Sequence, residues 1–194
     1  MNIQNLEIPI LQAPIEATAN LTAAVSNTGG MGSLGLAWEQ PDTAGGLADK
    51  DDVNWALHEG ATAVMLGTRF VATQESDAHP LYKDAILAAK GSDTVNTTCY
   101  NDGWPNATHR VIRNQLFNSW ESAGCPQPGS RPGENLLLAE DSTGYKIRKY
   151  AFSNPKKAFP INDVSDWCLY AGLGCDRIKD VPSVTELIDR LWSK

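Results

Sequence analysis

The chain is short of positive charge. Its 194 residues carry 16 Lys and Arg against 23 Asp and Glu, a formal net charge of -7, and an isoelectric point near 4.9. That balance leaves no basic patch for a nucleic acid or an anionic membrane surface. No apolar run reaches transmembrane length, and residues 1–7 offer neither a basic n-region nor an apolar core, so the sequence reads as a soluble, cytoplasmic chain without cleavable targeting. The four cysteines, Cys99, Cys125, Cys168 and Cys175, make no C-x-x-C pair and no zinc-like spacing. They read as free structural thiols in a chain long enough to build a core without disulfides, and no metal site is expected. Histidine is scarce: only His58, His79 and His109 are present.

Glycine is well placed. Two glycine-bearing turns, Ala44-Gly45-Gly46-Leu47-Ala48-Asp49 and Met65-Leu66-Gly67-Thr68-Arg69-Phe70, sit one helix apart. Residues 50–59 predict that helix, with Val53, Ala56 and Leu57 on one face and Gly60 closing it, and 62–66 predict a short apolar strand. In a parallel α/β protein both turns then lie at the carboxyl ends of adjacent strands, where backbone N–H groups suit a single phosphate. Taken singly, each turn also fits an ordinary βα loop. Gly30-Met31-Gly32-Ser33-Leu34-Gly35 matches the dinucleotide pattern G-x-G-x-x-G, but it follows a helical stretch (Leu21, Ala24 and Val25 on one face, Gly29 at its end) and precedes a strand. That order is the reverse of what a Rossmann fingerprint needs.

At these residues the chain resembles the nitronate monooxygenases, once called 2-nitropropane dioxygenases, which are FMN-dependent TIM barrels. The resemblance begins at Pro9-Ile10-Leu11-Gln12-Ala13-Pro14-Ile15 and Ala23-Ala24-Val25-Ser26-Asn27-Thr28-Gly29-Gly30-Met31-Gly32, and includes both glycine turns. It continues through Ala78-His79-Pro80-Leu81-Tyr82-Lys83, Gly103-Trp104-Pro105-Asn106, Gly129-Ser130-Arg131-Pro132-Gly133-Glu134 and Leu169-Tyr170-Ala171-Gly172. It implies that the backbones of Gly46, Leu66, Gly67 and Thr68 face the FMN phosphate, with the Thr68 hydroxyl as an extra donor and Gly45 and Met65 completing the turns. Ala13, Pro14 and Ile15 would lie along the isoalloxazine. Arg69 is expected in a salt bridge behind its turn, and Leu173 stands where the family has glutamine. The implied partners are an alkyl nitronate and O₂, without nucleic acid or membrane, and a homo-oligomer is compatible with the reading.

The resemblance also sets an expectation of loss. Only residues 36–44 separate the first blocks from the Gly-Gly turn, where the family supplies the barrel's middle, so an internal deletion is expected there. At most three barrel strands are readable, at 9–12, 31–36 and 62–66, whereas a TIM barrel needs eight over about 250 residues. The expected fold class is therefore α/β, with incomplete TIM-barrel-like βα units over 1–90 and a C-terminal, mainly helical extension over 91–194. The family's catalytic histidine, in a Glu-Ala-Gly-Gly-His-like motif, is absent, and no catalytic residue is assigned. The three histidines present read as solvent-facing or locally hydrogen-bonded. The chain then fits an impaired nitronate monooxygenase, a non-catalytic remnant, or a truncated gene product.

Further along, 80–90 and 182–192 predict helices, the latter with Val184, Leu187, Ile188 and Leu191 on one face. Residues 109–123 predict another helix ending at Gly124, 126–133 an extended or turning connector, and 146–152 a strand or an extended arm. Trp55, Trp104, Trp120 and Trp167 are expected as core or interface anchors.

Overall fold

Helix starts in this chain are fixed by short polar side chains. A computed structural model describes residues 6–13, 18–32 and 46–192, which pack as two units, Met1–Asp77 with Gly172–Lys194, and Ala78–Ala171. In the first unit, Thr18 caps α1 (Ala19–Asn27) by accepting from Leu21 N, and Gly29, at φ +92°, ends it. Asp49 and Asp52 form a reciprocal capping box on α2 (Lys50–His58), and Gly60 follows it at φ +99°.

Strand β1 (Ile10–Gln12) pairs in parallel with β2 (Val64–Leu66), Leu11 opposite Met65. On its other side Met31 makes a parallel bridge to Leu11, as a strand beginning there would; the expected continuation over 33–36 lies outside the described residues. A one-turn helix α3 (Thr68–Val71) leaves β2 directly. Helix α6, whose number follows two helices of the second unit, spans Val184–Leu191 and starts from a Ser183/Glu186 capping box. It lays the expected face, Val184, Leu187, Ile188 and Leu191, against Ile10, Leu21, Val25, Val53, Val64, Leu66 and Phe70. Trp55 is on the opposite face of α2 from Val53 and is 60% exposed, which leaves the interface half of the expected core or interface role.

The second unit starts at α4 (Pro80–Ala88), with proline in its first turn and His79 Nδ1 accepting from Leu81 N at 3.2 Å. Two antiparallel pairs follow: β3 (Thr94–Thr97) with β4 (His109–Ile112), and β5 (Leu137–Glu140) with β6 (Lys146–Arg148). The single helix expected over 109–123 is thus two elements. Val111 and Ile112 are β-branched and pair with β3, and Asn114, accepting from Phe117 N at 3.1 Å, opens α5 (Gln115–Ser122). The architecture is mixed α/β, with no closed barrel among the described residues.

Arg131 anchors this unit. It is 6% exposed, donates to Asn101 Oδ1 (2.8 Å), Asp102 Oδ1 (2.7 Å) and Glu134 Oε1 (2.8 Å), and lies 4.3 Å over the Tyr150 ring. Burial works against its charge, but the bonds to Asp102 and Glu134 outweigh it and raise its pKa. His109 is buried too, which corrects the solvent-facing or locally bonded role expected for it. Neither ring nitrogen makes a well-formed hydrogen bond among the described residues; Trp104 stacks on the ring at 5.9 Å and Tyr170 meets it edge-on at 5.3 Å. Of the other two, His58 is exposed and His79 locally bonded.

Two outcomes follow from these groups. Replacing Arg131 with Ala removes the shared partner of Asp102 and Glu134 and the cation over Tyr150, and is expected to lower the urea midpoint, by less than a fully buried pair would because Asp102 is partly exposed. Burial lowers the His109 pKa, against a smaller upward pull from the Ala107 backbone. The unfolded chain therefore takes up a proton below about pH 6.5 that the folded unit resists, so stability falls as pH drops through that point. Urea midpoints at pH 7.5 and 5.5 should show less of this acid loss in His109→Phe than in the parent chain.

Candidate functional site

The parallel register of β1 and β2 brings the ends of the two strands together. Ala13 N donates to Leu66 O at 2.8 Å, so the residue expected beside the isoalloxazine sits next to the start of the second glycine turn. Beyond Leu66, Gly67 is the residue before α3, and its carbonyl accepts from Phe70 N and Val71 N. Thr68 is the first residue of α3. Gly46 adopts φ +104°, a conformation open to glycine and costly for other residues. Met65 is half-buried between Val64 and Leu66. Pro14, Ile15 and Gly45 lie outside the described residues.

Gly46 and Thr68 meet through a third segment that returns from the far end of the chain. Gly172 N donates to Thr68 Oγ1 at 2.9 Å. A Cβ on Gly172 would lie 3.4 Å from the Gly46 N and Cα, and one on Gly174 only 2.1 Å from the Gly46 carbonyl oxygen. Glycine at 174 is therefore a packing requirement. A 3₁₀ turn (Leu173–Arg177) continues from there, with Leu173 exposed. It carries Arg177 back to the start of α2, where Nε pairs with Asp49 Oδ2 at 2.9 Å and Nη2 reaches both Asp52 and the Gly46 carbonyl. Arg69 is in the expected salt bridge, Nη2 to Asp180 Oδ1 at 2.8 Å.

Of the residues expected at the site, Gly46, Leu66, Gly67 and Thr68 are brought to one region by the fold, together with Gly172. Arg177 and Asp180 are not among those the sequence points to, because nothing local marks a residue whose partner lies more than 100 positions away. Chemically, the region offers backbone N–H groups and a hydroxyl that, while accepting from Gly172, keeps its own O–H to donate. The described residues hold no cluster fit for a metal ion.

Gly174→Ala and Gly60→Ala separate close packing from backbone conformation. A Cβ added at Gly60 would have nothing within 4 Å, so Gly60→Ala should cost about 1 kcal/mol through its positive φ alone. Gly174→Ala should cost more, about 2–3 kcal/mol, through overpacking against Gly46. Equal urea midpoints for the two variants would mean that the 172–174 segment does not sit on Gly46.

The nitronate monooxygenase family model matches residues 43–194, a range that includes Gly46, Thr68 and Gly172. A "probable nitronate monooxygenase" of Bacillus subtilis strain 168 is 33% identical over 154 residues, which are 76% of this chain and 38% of that protein. An octahydro-indene-carboxyl-CoA dehydrogenase of Rhodococcus jostii strain RHA1 is 40% identical over 103 residues, 53% of this chain and 28% of that one. The chain thus spans about a third of the length of these relatives. Among solved structures, FabK from Thermotoga maritima superposes with a TM-score of 0.54 at 22% identity, covering 94% of this chain and 53% of its own. The nitroalkane oxidase of Streptomyces ansochromogenes gives 0.50 at 23%, covering 76% and 36%. These two likenesses establish a partial TIM-barrel fold, and with the family match over 43–194 the conclusion is that the chain belongs to the nitronate monooxygenase family.

Proposed function

We propose that this chain is a nitronate monooxygenase-like flavoprotein that holds FMN by its phosphate and serves the oxidation of alkyl nitronates by O₂, with turnover impaired. The observation that carries the reading is the meeting of Gly46, Thr68 and Gly172 around one hydrogen bond. When bound, FMN supplies the redox chemistry, taking electrons from the nitronate and passing them to O₂. The residues present fit its phosphate: the backbones of Gly46, Leu66, Gly67 and Thr68 line the turns, and the Thr68 O–H is oriented by the bond it accepts. By the resemblance Gly45 and Met65 would complete the turns, and Ala13 with Pro14 and Ile15 would carry the ring. The matched segment recurs in relatives whose names give different reactions, a monooxygenase and a CoA dehydrogenase, which supports a role on the cofactor side and leaves the nitronate's identity to other residues.

The resemblance gives the substrate's proton to a histidine. The Glu-Ala-Gly-Gly-His motif is missing from the sequence. Of the histidines, His58 is exposed on α2, His79 caps α4 and His109 is enclosed by aromatic rings. This favours a second reading, a non-catalytic remnant that binds flavin without turning over. The domain reading belongs to the same proposal: residues 1–90 as the FMN-side barrel segment with a deletion near 36–44, and 91–194 as a C-terminal extension whose last part, Gly172–Lys194, packs within the first unit. A homo-oligomer could supply the missing strands. No described helix is long and apolar enough to cross a membrane, and we place the protein in the cytoplasm.

Flavin fluorescence tests the reading. FMN titrated into the purified chain should be quenched saturably, and Thr68→Val should weaken its binding about tenfold, or about 1.4 kcal/mol. Absence of saturable quenching in the parent chain would contradict FMN binding. Nitronate consumption at the rate of a complete family member would contradict the impairment.

A further inference from the structure

In the second unit, the connection from β3 to β4 closes over a histidine. The His109 backbone is fixed in register with Thr97 of β3 and the residue is 8% exposed, yet neither ring nitrogen makes a well-formed hydrogen bond among the described residues. A neutral imidazole carries one N–H donor and one acceptor, and burying both without partners forgoes what water would return. The enclosure is aromatic. Trp104 lies parallel to the ring, with 8° between the planes and centroids 5.9 Å apart, Tyr170 meets it edge-on at 5.3 Å, and Tyr100 is tilted at 6.2 Å.

Trp104 is the part of this enclosure that can leave. Of residues 103–106, Gly103, Pro105 and Asn106 are exposed and Trp104 alone is half-buried, against His109 and Phe152. Gly103 at φ +92° and Asn106 at φ +62° put a left-handed turn on either side of the indole. Outside them the chain is tied down. Asp102 exchanges backbone hydrogen bonds with Tyr150 and Phe152 and accepts one from Arg131, and His109 itself is in β4. The loop is thus short, anchored at both ends, and held to the unit through one side chain.

No ion faces the His109 ring. Tyr100 and Tyr170 present phenols, and burial chiefly pushes the Tyr100 pKa well upward, so it stays neutral. On β3, Thr97 is opposite, and the charged residues beside these elements, Asp102 and Arg110, bond to Arg131 and Thr94. Burial lowers the His109 pKa against a smaller upward pull from the Ala107 backbone, and no charged group contributes. An imidazolium in the closed enclosure has neither water nor a counter-ion, whereas one uncovered by Trp104 has water. With the loop open the ring titrates near its ordinary 6.5. The open form therefore gains on the closed one as pH falls through that value, by up to about tenfold between pH 7.5 and 5.5.

We propose that residues 103–106 form an acid-released lid: protonation of His109 frees Trp104 from its ring and opens the loop while the rest of the second unit stays folded. This does not rest on the flavin reading and is tested with no flavin present.

The test is fluorine NMR of the full chain labelled with 5-fluorotryptophan, the Trp104 resonance being assigned through Trp104→Phe. The difference in fluorine shift between H₂O and D₂O reads the exposure of each indole. Trp55, 60% exposed, and Trp167, 2% exposed and in the same unit as Trp104, are the two internal references. From pH 7.5 to 5.5 the Trp104 isotope shift should rise toward that of Trp55 while that of Trp167 does not change, and in His109→Phe the rise should be absent. An equal Trp104 isotope shift at the two pH values overturns the proposal. So does a parallel rise at Trp167, which would mean unfolding of the whole unit, or an undiminished rise in His109→Phe. Should that variant not fold, the comparison of Trp104 with Trp167 in the parent chain still decides.

Discussion

The hydrogen bond from Gly172 N–H to Thr68 Oγ1 closes a loop of 104 residues and sets the arrangement of the first unit. It seats Gly172 and Gly174 on the Gly46 backbone, at distances that leave no room for a side chain at 174. It also fixes where the 3₁₀ turn starts, and so delivers Arg177 to the Asp49/Asp52 capping box and Asp180 to Arg69. One neutral bond contributes little alone, about 1 kcal/mol. Its weight comes from the ion pairs and close packing that become possible once it forms.

Two buried arginines show how surroundings decide the behaviour of one chemical group. Arg131 faces two carboxylates and an aromatic ring, and the bonds it makes overcome burial, so its pKa rises. Arg69 shares a single carboxylate with Arg190, and its pKa falls. The first is a satisfied structural anchor. The second is a shared pair in which burial outweighs what one carboxylate returns to Arg69.

Elements with a local signal are readable in the sequence. Helices α1, α2, α4 and α6 are read from the sequence, with Gly29 and Gly60 marking the ends of the first two and apolar spacing marking α1, α2 and α6, while the caps Thr18, Asp49 and Ser183 are supplied by the structure. The stretch at 109–123 reads as one helix because Val111, Ile112, Leu116 and Trp120 also fit a helical period. What makes His109–Ile112 a strand is its pairing with Thr94–Thr97, a tertiary fact. His109 likewise reads as solvent-facing or locally hydrogen-bonded because its aromatic enclosure is assembled from other positions, Tyr100, Trp104 and Tyr170. At the candidate site, the glycine turns are legible from spacing and family likeness. Their partner at 172–174 and the charges of Arg177 and Asp180 depend on the chain's return, which no short motif encodes.

The central claim is that the 172–174 segment sits on the glycine turns, and amide hydrogen exchange at Gly172, followed by NMR, tests it most directly. The account predicts a Gly172 N–H that is protected in the parent chain and exchanges faster in Thr68→Val, with the amides of α6 unaffected. Exchange of Gly172 at the rate of an unstructured peptide in the parent chain, while α6 remains protected, would contradict it.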